Sequence, residues 1–339
     1  MASPFRFDFL ASAEDSKLSE SKGACAESAG ASTSQPKISN ADVVNNVYSI
    51  FTWLDAECLF QSALRKSIQH ESINISGTKH DISLRRTVHS GRCNNLNKFG
   101  NSDLVCGVYE GGMKVWECSV DMCRYFQENS VIISGSVLEL GCGHGLPGCW
   151  VLMKARSRGD EETIVTFSDF NEFVLHDATI PNVILNAATD ASLEQNVSWL
   201  SKHVVLGFGD WKNMSGQLTT RISMASTLLP PALPNSLPKD GKFDIILAAE
   251  TTYSPEAARD TAEILSKHLK HNTGVAYIAT KRYYFGVGGG SDCFRDHLTK
   301  FNDAMNTTRL ELETLAVFDD GAGNIRELLS VVQKRLDVN

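Results

Sequence analysis

The sequence predicts a doubly wound α/β fold, in which a mostly parallel sheet carries helices on both faces. Three observations predict it. Short apolar runs, SVLEL, TIVTFSD, KHVVLGFGD, FDIILAAE and GVAYIAT, recur between residues 136 and 280, and aliphatic, β-branched runs of this kind belong to strands buried on both faces. Helix-length stretches separate them, and such alternation means parallel strands joined by right-handed crossovers. Finally, VLELGCGHGLPG at 137–148 is a strand entering a glycine loop that opens a helix, a place where bare backbone can approach a ligand.

Taken in order, residues 1–40 are Ser/Ala-rich with mixed charge and no apolar period, which predicts a disordered tail; within it Phe5, Phe7 and Phe9 alternate as in a short strand. Residues 41–103 read as a helical N-terminal extension: apolar residues recur at helical spacing from Asn40, a candidate N-cap, before periodicity weakens over 71–102. The main domain then runs over 104–339. Helices are expected after Gly145, over 171–188, from Ser254-Pro255, where Pro suits the first turn, and after Gly290. LELETLAV and RELLSVVQKR are expected as closing strands. Residues 212–240 hold four of the nine prolines within Pro230–Pro238 and read as a Pro-rich surface insertion.

Composition narrows the function classes. With 32 Lys+Arg against 40 Asp+Glu, the formal charge of the 339 residues is −8. That argues against direct nucleic-acid binding through bulk positive charge and favours encounter with a basic partner. The nine cysteines include no C-x-x-C pair, so neither a disulfide framework nor a metal site is expected, and the compartment reads as reducing. MASPFRFDFL is not a secretory signal. The most apolar stretch, 131–153, contains Glu139, His144 and Pro147, so no membrane span is expected.

The glycine loop suits a nucleotide-containing cofactor. Gly143, Gly145 and Gly148 also satisfy G-x-G-x-x-G, which keeps a dinucleotide dehydrogenase in view. Against it, Glu139 precedes Gly141 by two residues and would repel a pyrophosphate; the E-x-G-x-G-x-G form points instead to S-adenosyl-L-methionine. Asp169, ending the second strand run, can accept the ribose hydroxyls. Asp210 can meet the adenine amino group, with Trp211 flanking the ring.

The blocks GVYEGGMKVWECS (107–119), LELGCGHGLPG, SDFNEFVLHDATIPNV (168–183), GDW (209–211), AAETTYSP (248–255) and YFGVGGG (284–290) closely resemble the protein-histidine methyltransferase family of the seven-β-strand methyltransferases. The resemblance runs from about residue 104 onward. It implies a class I, Rossmann-like sheet of seven strands with one antiparallel, S-adenosyl-L-methionine as methyl donor, and as partner a basic ribosomal protein, the large-subunit protein three. Cofactor contacts carried over fall on Val115, Trp116, Glu117, Cys118 and Ser119, on Gly141 with Gly143 in the loop, on Ser168, Asp169 and Phe170, on Gly209, Asp210 and Trp211, and on Ala249. At the methionine end, the Glu117 carboxylate can receive an α-ammonium while Trp116 faces the sulfonium. A nuclear and cytoplasmic location is implied by resemblance alone, since the sequence has no clear basic import run; the chain is taken as a monomer.

Methyl transfer needs a neutral nucleophile held in line. Imidazole, pKa about 6.5, is mostly neutral at pH 7, whereas lysine, about 10.4, must first lose a proton. A histidine-directed enzyme therefore needs tautomer control more than a strong base, and Glu250 and Tyr253, at the end of the fourth strand run, are the candidate catalytic residues. Tyr283, Tyr284 and Phe285 are expected to wall the acceptor pocket, with the glycines of 286–290 giving it a mobile lip. Two alternatives stand: a protein-lysine methyltransferase, whose relatives carry D-x-x-Y where this chain has E-x-x-Y, and a non-catalytic ribosome-assembly factor.

Overall fold

A computed structural model describes residues 51–75, 82–87, 108–223, 233–321 and 323–336. The Ser/Ala-rich tail and the Phe5–Phe9 alternation lie outside these residues; what is described falls within one compact unit, Asn46–Asn339.

The five apolar runs fold as predicted. They form β4 (Ser136–Leu140), β5 (Ile164–Asp169), β6 (Val204–Phe208), β7 (Ile245–Ala249) and β8 (Val275–Lys281), all parallel. The closing pair is β9 (Thr308–Asp319) and β10 (Ile325–Arg335), with β10 antiparallel to both neighbours. A two-residue β1 (Thr52–Trp53) pairs antiparallel with β6, giving the order β1-β6-β5-β4-β7-β8-β10-β9. The implied seven-stranded sheet is therefore present as β4–β10, with β10 its one antiparallel strand, and β1 adds an eighth strand and a third antiparallel pairing. The chain enters at the centre with β4, winds outward to β6, then returns to β7 on the other side. The crevice above the β4/β7 boundary is the switch point where open α/β sheets bind ligands.

Alternation along the strands feeds two cores. Val137, Val165, Phe167 and Leu247 face α2 (Glu117–Glu128), α3 (Leu146–Arg158) and α4, which runs as Glu172–Val174, a π turn at Leu175–Thr179, and Ile180–Ala187. Leu138, Leu140, Ile246 and Ala248 face α6 (Trp211–Ser223), α7 (Pro255–His268) and α8 (Ser291–Ala304). Ser254 caps α7 by accepting from the Ala257 amide at 3.1 Å, with Pro255 in the first turn as expected.

Two parts differ from expectation. The described portion of 41–103 is not simply helical: besides β1 it holds one helix, α1 (Ala56–Ala63), and a hairpin of β2 (His70–Ile75) and β3 (Ile82–Thr87). Phe60, Ile75 and Leu84 are fully buried in the same core as α3 and α4. Gln217 of α6 fixes β1, accepting from Trp53 Nε1 at 2.8 Å and donating to the Phe51 carbonyl at 2.7 Å. The first half of the expected Pro-rich insertion is helix α6, because Met214 and Leu218, four residues apart, bury one face against the sheet; residues 224–232 lie outside the described ones. Among the described residues no helix is long and apolar enough to cross a membrane. Between them, α5 (Leu193–His203) opens with a capping box of Ser192 and Gln195.

Phe60→Ala should cost about 3–5 kcal/mol, the usual range for truncating a buried aromatic. Urea unfolding measures it, and a loss below about 0.5 kcal/mol would show that α1 is an appendage rather than part of this core.

Candidate functional site

The glycine loop leaves β4 with positive φ at Gly141 (55°), Gly143 (51°) and Gly145 (65°). A Cβ on Gly141 would stand 3.2 Å from Thr251 Cγ2 and 3.4 Å from the Trp211 ring, so bare backbone here lines a cradle between those two side chains. Among the described residues the buried Trp211 indole N–H has no acceptor, an orphan donor that costs free energy until a ligand or water meets it.

Glu139 takes a different place from the one expected. It is 2 % exposed, and its carboxylate accepts from the Gly148 amide at 2.8 Å, beneath the loop at the start of α3. Gly148 permits the approach, since a Cβ there would come within 2.4 Å of Glu139 Oε2. Burial pushes the Glu139 pKa up to about 8, against the opposing Gly148 bond. Glu139 therefore braces the loop rather than attracting a cationic ligand.

Asp169 ends β5 and is 4 % exposed. Oδ2 accepts from the Gly143 amide at 2.9 Å and Oδ1 from the Asn171 amide at 3.0 Å. Burial raises its pKa to about 6, opposed by those amide bonds. Ser168 Oγ donates to the Glu139 carbonyl, Phe170 is half-buried beside it, and the Gly209 amide donates to the Asp169 carbonyl. Asp210 accepts from the Lys212 amide at 2.6 Å, which turns the chain into α6 with Trp211 at its first position.

A second loop, 108–116, lies across this carboxylate. Gly112 is needed there, because a Cβ would stand 2.7 Å from Val174 Cγ1 and 3.2 Å from Asp169 Oδ2. Asn171 clamps the loop, donating to the Val108 carbonyl at 2.8 Å and accepting from the Glu110 amide at 3.2 Å. Trp116 caps α2 and donates from its indole to the Gly111 carbonyl at 3.0 Å. Val115 is half-buried, and Ser119 Oγ donates to the Trp116 carbonyl. Glu117 accepts from Asn324 at 2.7 Å and faces Arg326 at 3.6 Å and Lys281 at 3.9 Å.

On the other side of the crevice, Ala249 ends β7 and Glu250 follows with φ 60°, rare for a residue other than glycine. Glu250 is 8 % exposed; Oε2 accepts from Tyr284 Oη at 2.5 Å, while among the described residues Oε1 has no hydrogen-bond partner. Burial, then the Glu250 charge, pushes the Tyr284 hydroxyl and the Cys118 thiol beside it well up, so both stay protonated. Tyr253 Oη donates to Glu110 in a short bond. Of the three expected pocket residues, Tyr284 alone turns inward: Tyr283 and Phe285 are 60 % and 78 % exposed, their rings 6.0 Å apart. The expected lip is tied down at its end, the Gly289 and Gly290 amides donating to the Tyr253 and Thr252 carbonyls. Among the described residues, no His/Cys/Asp/Glu group could hold a metal. Sequence reasoning missed Glu110, Asn171 and Lys281, whose roles come from partners distant in the chain.

No family model matches the chain. It is 37% identical over 234 residues to the histidine protein methyltransferase 1 homolog of Dictyostelium discoideum, covering 69% of this chain and 61% of that protein. The resemblance read from the motifs is borne out. The homolog of Rattus norvegicus is 33% identical over 234 residues, 65% of this chain and 57% of that one, and the histidine protein methyltransferase 1 of Schizosaccharomyces pombe is 31% identical over 217 residues, 62% and 63%. The chain thus matches about three fifths of the length of these relatives. Among solved structures, magnesium protoporphyrin IX methyltransferase from Synechocystis with bound SAH aligns over 72% of this chain and 90% of that one at 11% identity and a TM-score of 0.37, a likeness too distant to bear on function.

Glu139 gives a pH test. Its pKa is about 8 folded against 4.5 as the ordinary value, so between these pH values the unfolded chain releases a proton that the folded chain keeps, and stability falls as pH rises through that window. Glu139→Gln removes the effect: its melting temperature should gain on the wild type from pH 5 to pH 8. Parallel curves would show that Glu139 is ionised in the folded protein.

Proposed function

We propose that the chain is an S-adenosyl-L-methionine-dependent protein-histidine N-methyltransferase. Glu250 carries this reading: a buried carboxylate at the switch point, held by Tyr284 through one oxygen, keeps the other oxygen for a donor. A neutral imidazole has one N–H to give and one lone-pair nitrogen to aim. Bonded to Glu250, it is fixed in one tautomer, and positive charge that develops on it meets the carboxylate. Lysine would need a group to remove its proton, at a cost near 4.6 kcal/mol at pH 7. The nearby Tyr284 and Cys118 hold their own protons, which favours a nucleophile that is already neutral.

The residues around the loop fit the donor. The Gly141 cradle offers backbone to its adenosine, the orphan Trp211 indole N–H needs an acceptor, and the Trp116 ring attracts cations, with Lys114 Nζ 4.7 Å from its centre. Asp169 would take the ribose hydroxyls and Asp210 the adenine amino group. The donor supplies the methyl group as a sulfonium; Glu250 orients the acceptor, Tyr253 and Glu110 fix the loop beside it, and the 108–116 loop excludes water.

As substrate we propose a histidine of a basic ribosomal protein, the large-subunit protein three, reached in the cytoplasm and nucleus by the chain as a monomer. The formal charge of −8 supports this, since opposite fields steer encounter and discourage retention on RNA.

Incubation with methyl-labelled donor and ribosomal fractions, followed by hydrolysis of the labelled band, should yield methylhistidine; methyllysine would favour the lysine alternative, and no label the non-catalytic one. Glu250→Gln should lower turnover about 100-fold, within the range for losing such a group, while S-adenosylhomocysteine affinity stays within about threefold by calorimetry. Normal turnover would remove Glu250 from the mechanism.

A further inference from the structure

We infer that Lys281 is the counter-charge for the α-carboxylate at the methionine end of the donor, an inference that rests on the function proposed above. An amino-acid head group is a zwitterion, and its complement is an anion and a cation set side by side. Glu117 and Lys281 are such a pair, with Nζ 3.9 Å from Glu117 Oε2. Lys281 Nζ also lies 5.9 Å from the centre of the Trp116 ring, and the Trp116 indole bonds to Gly111 in the loop that packs on Gly143. The pair therefore stands next to the glycine loop, beside an aromatic ring that attracts cations and over which Lys114 Nζ also lies, 4.7 Å from the centre.

Position and burial favour Lys281 over its neighbours. It closes β8, and strand alternation puts its side chain with Tyr277 and Ala279 on the face covered by α2, whose first turn holds Glu117. The residue is 6 % exposed, with Nζ 5.9 Å from the centres of both the Trp116 and the Tyr284 rings. Arg326, the other cation near Glu117, is committed to the buried Asp121 carboxylate through a 2.5 Å bond. Glu117, which also accepts from Asn324, then faces the α-ammonium while Lys281 receives the carboxylate.

The test compares two ligands by calorimetry on the full chain: S-adenosylhomocysteine, and 5′-methylthioadenosine, which keeps the adenosine and thioether but lacks the amino-acid end. Lys281→Met should weaken S-adenosylhomocysteine about 10- to 100-fold, as for loss of a charged hydrogen bond, and leave 5′-methylthioadenosine within twofold, which also reports that the variant is folded. Lys281→Arg should restore part of the loss. Unchanged S-adenosylhomocysteine affinity in Lys281→Met overturns the inference, and so does an equal loss for both ligands, which would mark a general support for the fold. If the wild type binds neither ligand, the proposed function fails and this inference with it; wild-type binding of both with no selective loss in the variant fails the inference alone.

Discussion

Two backbone amides from different loops converge on the carboxylate of Asp169, and much of the crevice is arranged around that junction. The Gly143 amide brings the β4–α3 loop and the Asn171 amide brings the β5–α4 loop to one side chain. Burial disfavours the charge, and the two N–H groups offset part of that cost. With Asn171 so placed, its side-chain amide holds Val108 and Glu110 in a ladder-like exchange, and Glu110 in turn receives the hydroxyl of Tyr253. One carboxylate thus registers the ends of β4, β5 and β7 against each other, linking the glycine-loop side of the crevice to the Glu250 side.

The loop is also held from the side of α4. Thr179, in the π turn, donates to the Gly143 carbonyl at 2.6 Å, and Asn182, a turn further on, donates to the His144 carbonyl at 2.8 Å. The other atom of that same Asn182 amide accepts from the Thr87 amide of β3, while Asn186 brackets Arg85. A π turn shifts the helical register by a residue and is frequent at functional sites; in this molecule it lets one helix serve the glycine loop and the hairpin together. Among the described residues, Asn182 alone bonds both the N-terminal hairpin and the glycine loop.

What could be read from the sequence follows the range of the forces involved. The strands β4–β8 were legible because burial on both faces leaves a local signature of unbroken apolar residues, and the glycine loop because positive φ restricts residue type. The hairpin of β2 and β3 was not, since most of its residues are exposed or half-buried and α4 asparagines, distant in sequence, supply its edge. Glu139 was visible as an acid near the glycines, yet its direction was misjudged. Strand alternation held the correction, because Val137 and Glu139 share the face that packs on α2 and α3. Asn171 and Lys281 carry no local signature at all: each acquires its role from residues in other elements, as Lys281 does from Glu117, more than 160 positions earlier in the chain.

Glu250 sits at φ 60°, a conformation that costs a β-carbon-bearing residue on the order of 1 kcal/mol or more and that glycine adopts freely. A glycine at this position would relax the turn, yet it would also take away the oxygen that accepts the Tyr284 hydroxyl. Backbone strain and side-chain bonding thus favour opposite residues at one position, and the glutamate is kept there at the expense of its own backbone.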